Sequence, residues 1–342
     1  MKGLMDPSKD WKEVVAPDED TRFARFAEQL AEMQRMYSRN GRTGRALHSK
    51  IRGGFEARLE IFGNLPEPAR HGLFAEPKVY DALVRYSNGS SVPQPDDKKG
   101  GDVRGMAVKV LGVDGPKAIG NAMTQDFLGI LQSSTPFRTP DQFVGVVWAF
   151  RGGLPLGLLR LLFGLGPGIF PAVVKLIAGV KQPVASLATR SFYSALPMKC
   201  GPYAARFAFV PVAASTSEST GTGPDYLRED LVTRLHRGSI EYTLELQFFV
   251  DETRTPVEDA SVDWPVKVAP YVRVGKLSIA QQDATSERGQ RLAERVQQMS
   301  FDPWHALAEH RPLGAMMRAR KPAYFASATG RHAEAEPEGR IV

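Results

Sequence analysis

The sequence has 342 residues, enough for one large domain or two ordinary ones. Its formal net charge is +6, from 44 Lys and Arg against 38 Asp and Glu, and the absence of long like-charge runs disfavours a nucleic-acid-binding protein. The single cysteine, Cys200, excludes an intrachain disulfide, and the charged N-terminus MKGLMDPSKDWKEVV lacks the apolar core of a secretory signal, so we expect a cytoplasmic protein.

The first third of the chain predicts an arm, a helix and several strands. Residues 1–18 are polar and punctuated by proline, which predicts a loose N-terminal arm. From Glu19 to Arg39 apolar residues recur every three or four positions, as in an amphipathic helix. Strand-like segments follow at 53–62, 79–89 and 102–113, separated by Gly, Pro, Asp and Asn.

The middle of the chain is unusual because residues 142–217 contain no Asp or Glu. The apolar part of this region is interrupted by Arg160, Lys175 and Gly-Pro pairs. The pattern therefore favours two buried or channel-lining helices, and membrane contact through residues 152–180 is the less favoured alternative. Further along, we predict a polar loop at 213–225, strands at 203–212, 238–251 and 271–279, and a last helix at 286–299.

Strands at both ends of the sequence, with helices between them, predict an α+β protein built on an antiparallel β-barrel with surrounding helices. We expect two parts, the arm (1–18) and one domain (19–342), with a helical insertion at about 140–180.

Four stretches carry candidate chemistry: RALHSK (45–50), VRYSNG (84–89), DVRGMAVKV (102–110) and ARKPAYFASATGR (319–331). Together and in this order they resemble the catalase family, over about residues 40–332. The segments TPVEDASVDWP (255–265) and SFDPWHALAEHRPLGAMMRARK (300–321) are similar to a shorter, bacterial branch, the catalase-related peroxidases. The resemblance implies a catalase-like barrel that binds haem b.

The resemblance assigns expected roles to residues of the C-terminal segment and to three arginines. Tyr324 is the expected ligand of the haem iron, bound as a phenolate, and Arg320, one helical turn earlier, would donate hydrogen bonds to its oxygen. Arg45, Arg85 and Arg331 are expected to bind the two haem propionates, because a planar guanidinium can pair bidentately with a carboxylate.

The same resemblance implies an acid–base group on the other side of the haem. His48 is the expected proton carrier, and Ser87, which shares a strand face with Arg85, is expected to fix its tautomer. Catalases also place an asparagine amide beside this histidine, but GNAMTQDFLGILQSSTPF (120–137) departs from their pattern. Leu131, Gln132 and Asn121 remain candidates for that position, and we favour Gln132.

These residues predict a haem-dependent peroxidase with weak catalase activity. Its substrates would be hydrogen peroxide or organic and lipid hydroperoxides, and its electron donor is not identified by the sequence. Two alternatives stay open: a fatty-acid hydroperoxide isomerase or dehydratase, and a non-catalytic haem-binding protein. Self-association into a homo-oligomer is also left open.

Overall fold

The computed structural model describes residues 5–38, 43–152, 154–212 and 221–337. These residues form nine strands and seven α-helices. The strands are β1 (Lys50–Ile61), β2 (Val79–Asn88), β3 (Arg104–Leu111), β4 (Thr124–Ile130), β5 (Phe192–Tyr193), β6 (Met198–Cys200), β7 (Tyr203–Pro211), β8 (Ile240–Phe248) and β9 (Tyr271–Ile279). The helices are α1 (Glu19–Met36), α2 (Pro140–Ala149), α3 (Leu154–Leu165), α4 (Phe170–Val180), α5 (Tyr226–Arg237), α6 (Glu287–Gln298) and α7 (Ala315–Gly330).

All nine strands belong to one antiparallel sheet, in the order β5-β4-β3-β2-β1-β9-β8-β7-β6. The sheet closes on itself because β5 pairs with β7 as well as with β4. Eight strands therefore form a closed barrel, and β6 extends it beside β7. The predicted antiparallel barrel with surrounding helices is confirmed.

Side chains of the barrel strands alternate between an apolar interior and a functional outer face. On β2, Val84 and Tyr86 belong to the interior core, so Arg85 and Ser87 lie on the outer face. Helix α6 covers this outer face. Helix α6 and the neighbouring strand β1 approach closely at Gly54. A Cβ atom there would lie 2.7 Å from the Cβ of Val296, so the absence of a side chain permits the contact.

Several elements differ from the sequence predictions. Strand β4 was not predicted, because TQDFLGI has polar residues and a glycine where a strand pattern needs alternation. The apolar insertion contains three helices, α2, α3 and α4, where two were predicted, and α5 was missed. The predicted helix at 286–299 is confirmed as α6, but it is not the last helix, because α7 follows it. Pro322 inside α7 obscured that helix in the sequence.

The N-terminal arm is bound to the body, which corrects the prediction of a loose arm for residues 5–18. Ser8 donates its backbone N–H to the Phe249 carbonyl at 2.9 Å, and Trp11 donates its indole N–H to the Pro202 carbonyl at 2.8 Å. Glu13 pairs with Arg318 of α7 at 2.8 Å. Residues 1–4 of the arm, Arg39 of the predicted first helix and residues 213–220 of the predicted loop lie outside the described residues.

A buried charge network joins the β3–β4 hairpin to the segment that leads into α7. Lys109 Nζ lies 2.8 Å from Asp126 and 2.6 Å from Glu336, and its side chain has no accessible surface. His305 Nδ1 lies 3.2 Å from Glu336 and 3.5 Å from Asp126, within ion-pair distance. Burial alone would lower the pKa of His305, but the two carboxylates outweigh it and raise the pKa to about 10. The network thus depends on a charged histidine.

His305→Gln should reduce the loss of stability at alkaline pH. The pKa of His305 is raised above the ordinary histidine value of 6.5, so its contribution is fully present below pH 6.5 and is lost as the pH rises through about 10. Urea unfolding at pH 6 and pH 10 should therefore show a larger fall in the free energy of unfolding for the wild type than for His305→Gln. His236→Gln, an exposed histidine of α5, is the matched control. Equal falls for wild type and His305→Gln would contradict this assignment.

Candidate active site

His48 is held in a left-handed backbone conformation just before β1, with φ of +55°. Such a conformation is uncommon for a residue with a side chain and persists only when its surroundings fix it. Two hydrogen bonds do so: its N–H donates to the Gly89 carbonyl at 2.9 Å, and Arg85 Nη2 donates to its carbonyl at 2.7 Å. The strained backbone therefore directs the imidazole onto the outer face of the barrel.

The imidazole lies against Gly105 and bonds to Ser87. His48 Nδ1 is 2.9 Å from Ser87 Oγ, which leaves Nε2 as the nitrogen that can face a ligand. Gly105 pairs with Ser87 across β2 and β3, and a Cβ at Gly105 would lie 2.7 Å from His48 Cε1 and 2.9 Å from Nδ1. Glycine at this position thus makes room for the ring.

The local environment keeps His48 neutral. Burial lowers its pKa to about 3, and the positive charges of Arg85, Arg320 and Arg45 act in the same direction. His48 retains some accessible surface, but desolvation of its imidazole still dominates the shift. A neutral imidazole is the form that can accept a proton.

Three guanidiniums, hereafter the arginine cluster, converge near the C-terminal end of α6: Arg85 is buried, and Arg45 and Arg331 are half-buried. Arg45 Nη2 donates to the carbonyls of Gln297 and Met299 at 3.0 and 2.6 Å, and Arg331 donates to those of Gln298 and Met299 at 2.7 Å each. The partial negative charge at the end of a helix favours cations there.

Among the described residues, no Asp or Glu neutralises the arginine cluster. Burial lowers the pKa of Arg85 to about 9 and that of Arg331 to about 10, and the positive charge of Arg331 adds to the effect on Arg85. The pKa of Arg45 is also well below its usual range, through burial and then the charges of Arg85 and Arg331. The Nε atoms of Arg45 and Arg331 are buried without a hydrogen-bond partner. The arginine cluster therefore fits a bound group with several negative charges.

Tyr324 and Arg320 form a pair on α7 beside this cluster. Arg320 Nη2 donates to the Tyr324 hydroxyl oxygen at 2.5 Å, as their spacing of one helical turn predicts. The Tyr324 phenol is close enough for its charge to affect the pKa of Arg45 and Arg85. The hydrogen bond from Arg320 thus fixes the position of the phenol oxygen.

None of the three positions considered for the distal amide is bonded to His48 in the described chain. Leu131 packs against the barrel core. The Gln132 amide nitrogen donates to the Gly179 carbonyl of α4 at 3.4 Å. Asn121 is exposed and precedes β4, whereas Ile130 at the other end of β4 pairs with Gly105. The two ends of β4, Thr124 and Ile130, are six residues apart in the sequence and therefore about 20 Å apart along the strand. The structure thus brings together His48, Ser87 and the arginines but does not join Asn121 to them.

Gln297 is a site residue that the sequence analysis missed. Its side-chain oxygen accepts from Arg85 Nε and Nη2 at 3.2 and 2.9 Å, and its amide nitrogen donates to the Ser49 carbonyl at 3.1 Å. It therefore connects α6 to the backbone next to His48. A glutamine in a polar amphipathic helix has no sequence signal that distinguishes it from a surface residue.

The side chains of the site suit a metal ion that is held within a larger ligand. Among the described residues, no group of three or more His, Cys, Asp and Glu could hold a metal ion. The described chain instead offers one phenol, bonded to a guanidinium, and three cations without a carboxylate partner. These residues fit a metal-containing group that carries its own carboxylates.

Solved structures show that this architecture is the catalase fold. The chain matches a bacterial catalase with a TM-score of 0.65 at 18% identity, covering 97% of this chain and 64% of that one. It matches a fungal catalase with a TM-score of 0.67 at 18% identity (98% and 67% covered) and catalase A of Saccharomyces cerevisiae with 0.67 at 17% (97% and 68%). The chain thus spans about two-thirds of the length of these catalases.

Sequence comparison narrows the class to a family. No family model matches the chain. The chain is 32% identical over 259 residues to the catalase-related peroxidase of Mycolicibacterium paratuberculosis (strain ATCC BAA-968 / K-10), a match that covers 72% of this chain and 77% of that protein. The chain belongs to the catalase-related peroxidases, oxidoreductase enzymes of the catalase type.

Gly105→Ala should displace His48 and slow any reaction that uses its imidazole. The added Cβ would overlap the ring, and a displacement of about 1 Å in a catalytic group can cost roughly 10²-fold in rate. The measurement is the rate of reaction with peroxide, with circular dichroism to confirm folding.

Gly44→Ala is the matched control, because Gly44 lies next to Arg45 and a Cβ there meets nothing within 4 Å. A folded Gly105→Ala protein that reacts as fast as Gly44→Ala would show that the ring does not need this space.

Proposed function

We propose that this protein is a haem b peroxidase that reduces organic hydroperoxides and hydrogen peroxide and has weak catalase activity. The observation that carries the proposal is the arginine cluster, one buried and two half-buried cations without a carboxylate partner in the described chain. Two haem propionates would supply the missing negative charge. The fold, the family and the Tyr324–Arg320 pair support the same cofactor.

In this proposal each residue of the site has one task. Tyr324 would bind the iron through its phenolate oxygen, and Arg320 would stabilise that charge. Arg45, Arg85 and Arg331 would bind the propionates. Bound haem would supply the redox-active iron at which the peroxide O–O bond is cleaved.

His48 would move the proton in that cleavage. With Nδ1 bonded to Ser87, Nε2 would take a proton from the incoming hydroperoxide and return it to the departing oxygen, so that the leaving group is an alcohol or water instead of an anion. Ser87 would act by holding the ring in one tautomer and orientation. The full reduction consumes two protons and two electrons per hydroperoxide, and an external donor would supply the electrons.

The surroundings of His48 favour an organic hydroperoxide over dismutation of hydrogen peroxide. Ile130 is the cross-strand partner of Gly105, so an apolar side chain shares the face on which the imidazole lies. Among the described residues, no amide donates a hydrogen bond to His48, and Gln132 is bonded to Gly179. Orienting a second peroxide for oxidation should therefore be inefficient, whereas an apolar peroxide is accommodated.

His48→Gln should bind hemin as the wild type does but react with a hydroperoxide about 10²–10⁴-fold more slowly, the usual contribution of general acid–base catalysis. The reaction is followed by stopped-flow absorption with cumene hydroperoxide, then by turnover with an organic electron donor. His236→Gln is the control for loss of a histidine far from the site.

The competing functions give different outcomes in the same assay. Consumption of a fatty-acid hydroperoxide to a rearranged product without any electron donor would replace the proposal with an isomerase. An unchanged rate in His48→Gln would leave only a haem-binding protein.

A further inference from the structure

Helices α3 and α4 expose large apolar side chains on the outside of the molecule. On α3 these are Leu156, Leu158, Leu159, Leu162 and Phe163, with exposed fractions from 40% to 85%. On α4 they are Val174 and Ile177, exposed by 64% and 42%. We call these seven residues the α3–α4 patch.

The α3–α4 patch is not the buried side of an ordinary surface helix. The helices already bury a second apolar face, because Leu161 and Val173 belong to a packed cluster with Met316 and Met317 of α7. Of the sixteen large hydrophobic residues exposed in the described chain, seven lie between Leu156 and Ile177. Such a concentration of exposed apolar surface indicates an interaction site.

The charged side chains on α3 and α4, and on the residues that adjoin them in the sequence, are all cations. Residues 142–217 contain no Asp or Glu. Arg151, Arg160 and Lys175 lie on or beside the two helices, and among the described residues their hydrogen-bond partners are neutral, including the carbonyls of Trp148, Ala149 and Ser261, respectively. Lys181, at the end of α4, is exposed. An apolar face flanked by cations without acidic partners is complementary to anionic lipid.

The geometry indicates contact with one leaflet. No single described helix has the length and hydropathy to cross a membrane; Leu156–Leu165 and Pro167–Val180 reach that composition only together, across a bend of 112°. A pair of short helices bent in this way can lie in the headgroup region with its apolar side chains inserted. We propose that the α3–α4 patch docks this protein on the surface of an anionic phospholipid bilayer.

The test is sedimentation of the purified protein with vesicles of phosphatidylcholine alone and of phosphatidylcholine mixed with phosphatidylserine. The wild type should sediment with the mixed vesicles, more weakly at high salt because the cations are then screened. The double variant Leu159→Ser, Phe163→Ser should lose roughly tenfold or more in partition coefficient, since it removes two inserted apolar side chains. Val266→Ser, an exposed valine elsewhere, should bind as the wild type does.

Three outcomes would overturn the proposal: no binding of the wild type to either vesicle, undiminished binding of the double variant, or a dimer that the double variant dissociates without any vesicle binding. The last would identify a second copy of the chain as the occupant. Peroxidase turnover with a water-soluble hydroperoxide should be the same in the double variant and the wild type. Vesicle binding without any turnover would contradict the proposed function and leave docking in place.

Discussion

The site depends on three guanidiniums that the fold brings together without a carboxylate partner among the described residues. Arg45, Arg85 and Arg331 come from the loop before β1, from β2 and from the residue after α7, so the fold brings together cations that repel one another. The carbonyls at the end of α6 offset part of this repulsion. An anion would offset the rest of this repulsion. In the proposed function a cofactor with carboxylates supplies that anion, and the arginine cluster positions the cofactor.

The barrel supports this site by presenting one outer face to it. Residue alternation on β2 and β3 places Arg85, Ser87 and Gly105 side by side, and His48 lies over the glycine in a strained conformation. The buried network of Lys109, Asp126, His305 and Glu336 anchors the segments on both sides of α7 to β3 and β4. The Tyr324 phenol on α7 and the His48 imidazole before β1 are therefore both positioned by the same sheet.

Much of this could be predicted from the sequence, for definite physical reasons. Period-two patterns predict β1, β2 and β3, and the four-residue spacing of Arg320 and Tyr324 predicts their hydrogen bond. Strand β4 lacks a pattern, and the acceptors for the arginines are mainly backbone carbonyls at the end of α6, which carry no sequence signal. The role of Gln297 and the binding of the N-terminal arm could not be predicted, because both result from contacts between residues that are distant in the sequence. Gln132 was favoured as the distal amide from the resemblance to catalases. Its hydrogen bond to Gly179 joins residues far apart in the sequence and has no local sequence pattern.

The most direct test compares binding of hemin and of hemin dimethyl ester, in which both propionates are neutral, to the protein prepared without cofactor. The account predicts that the wild type binds hemin roughly tenfold or more tightly than the ester, because only hemin neutralises the arginine cluster. Equal affinity for the two compounds, or no binding of hemin, would contradict it.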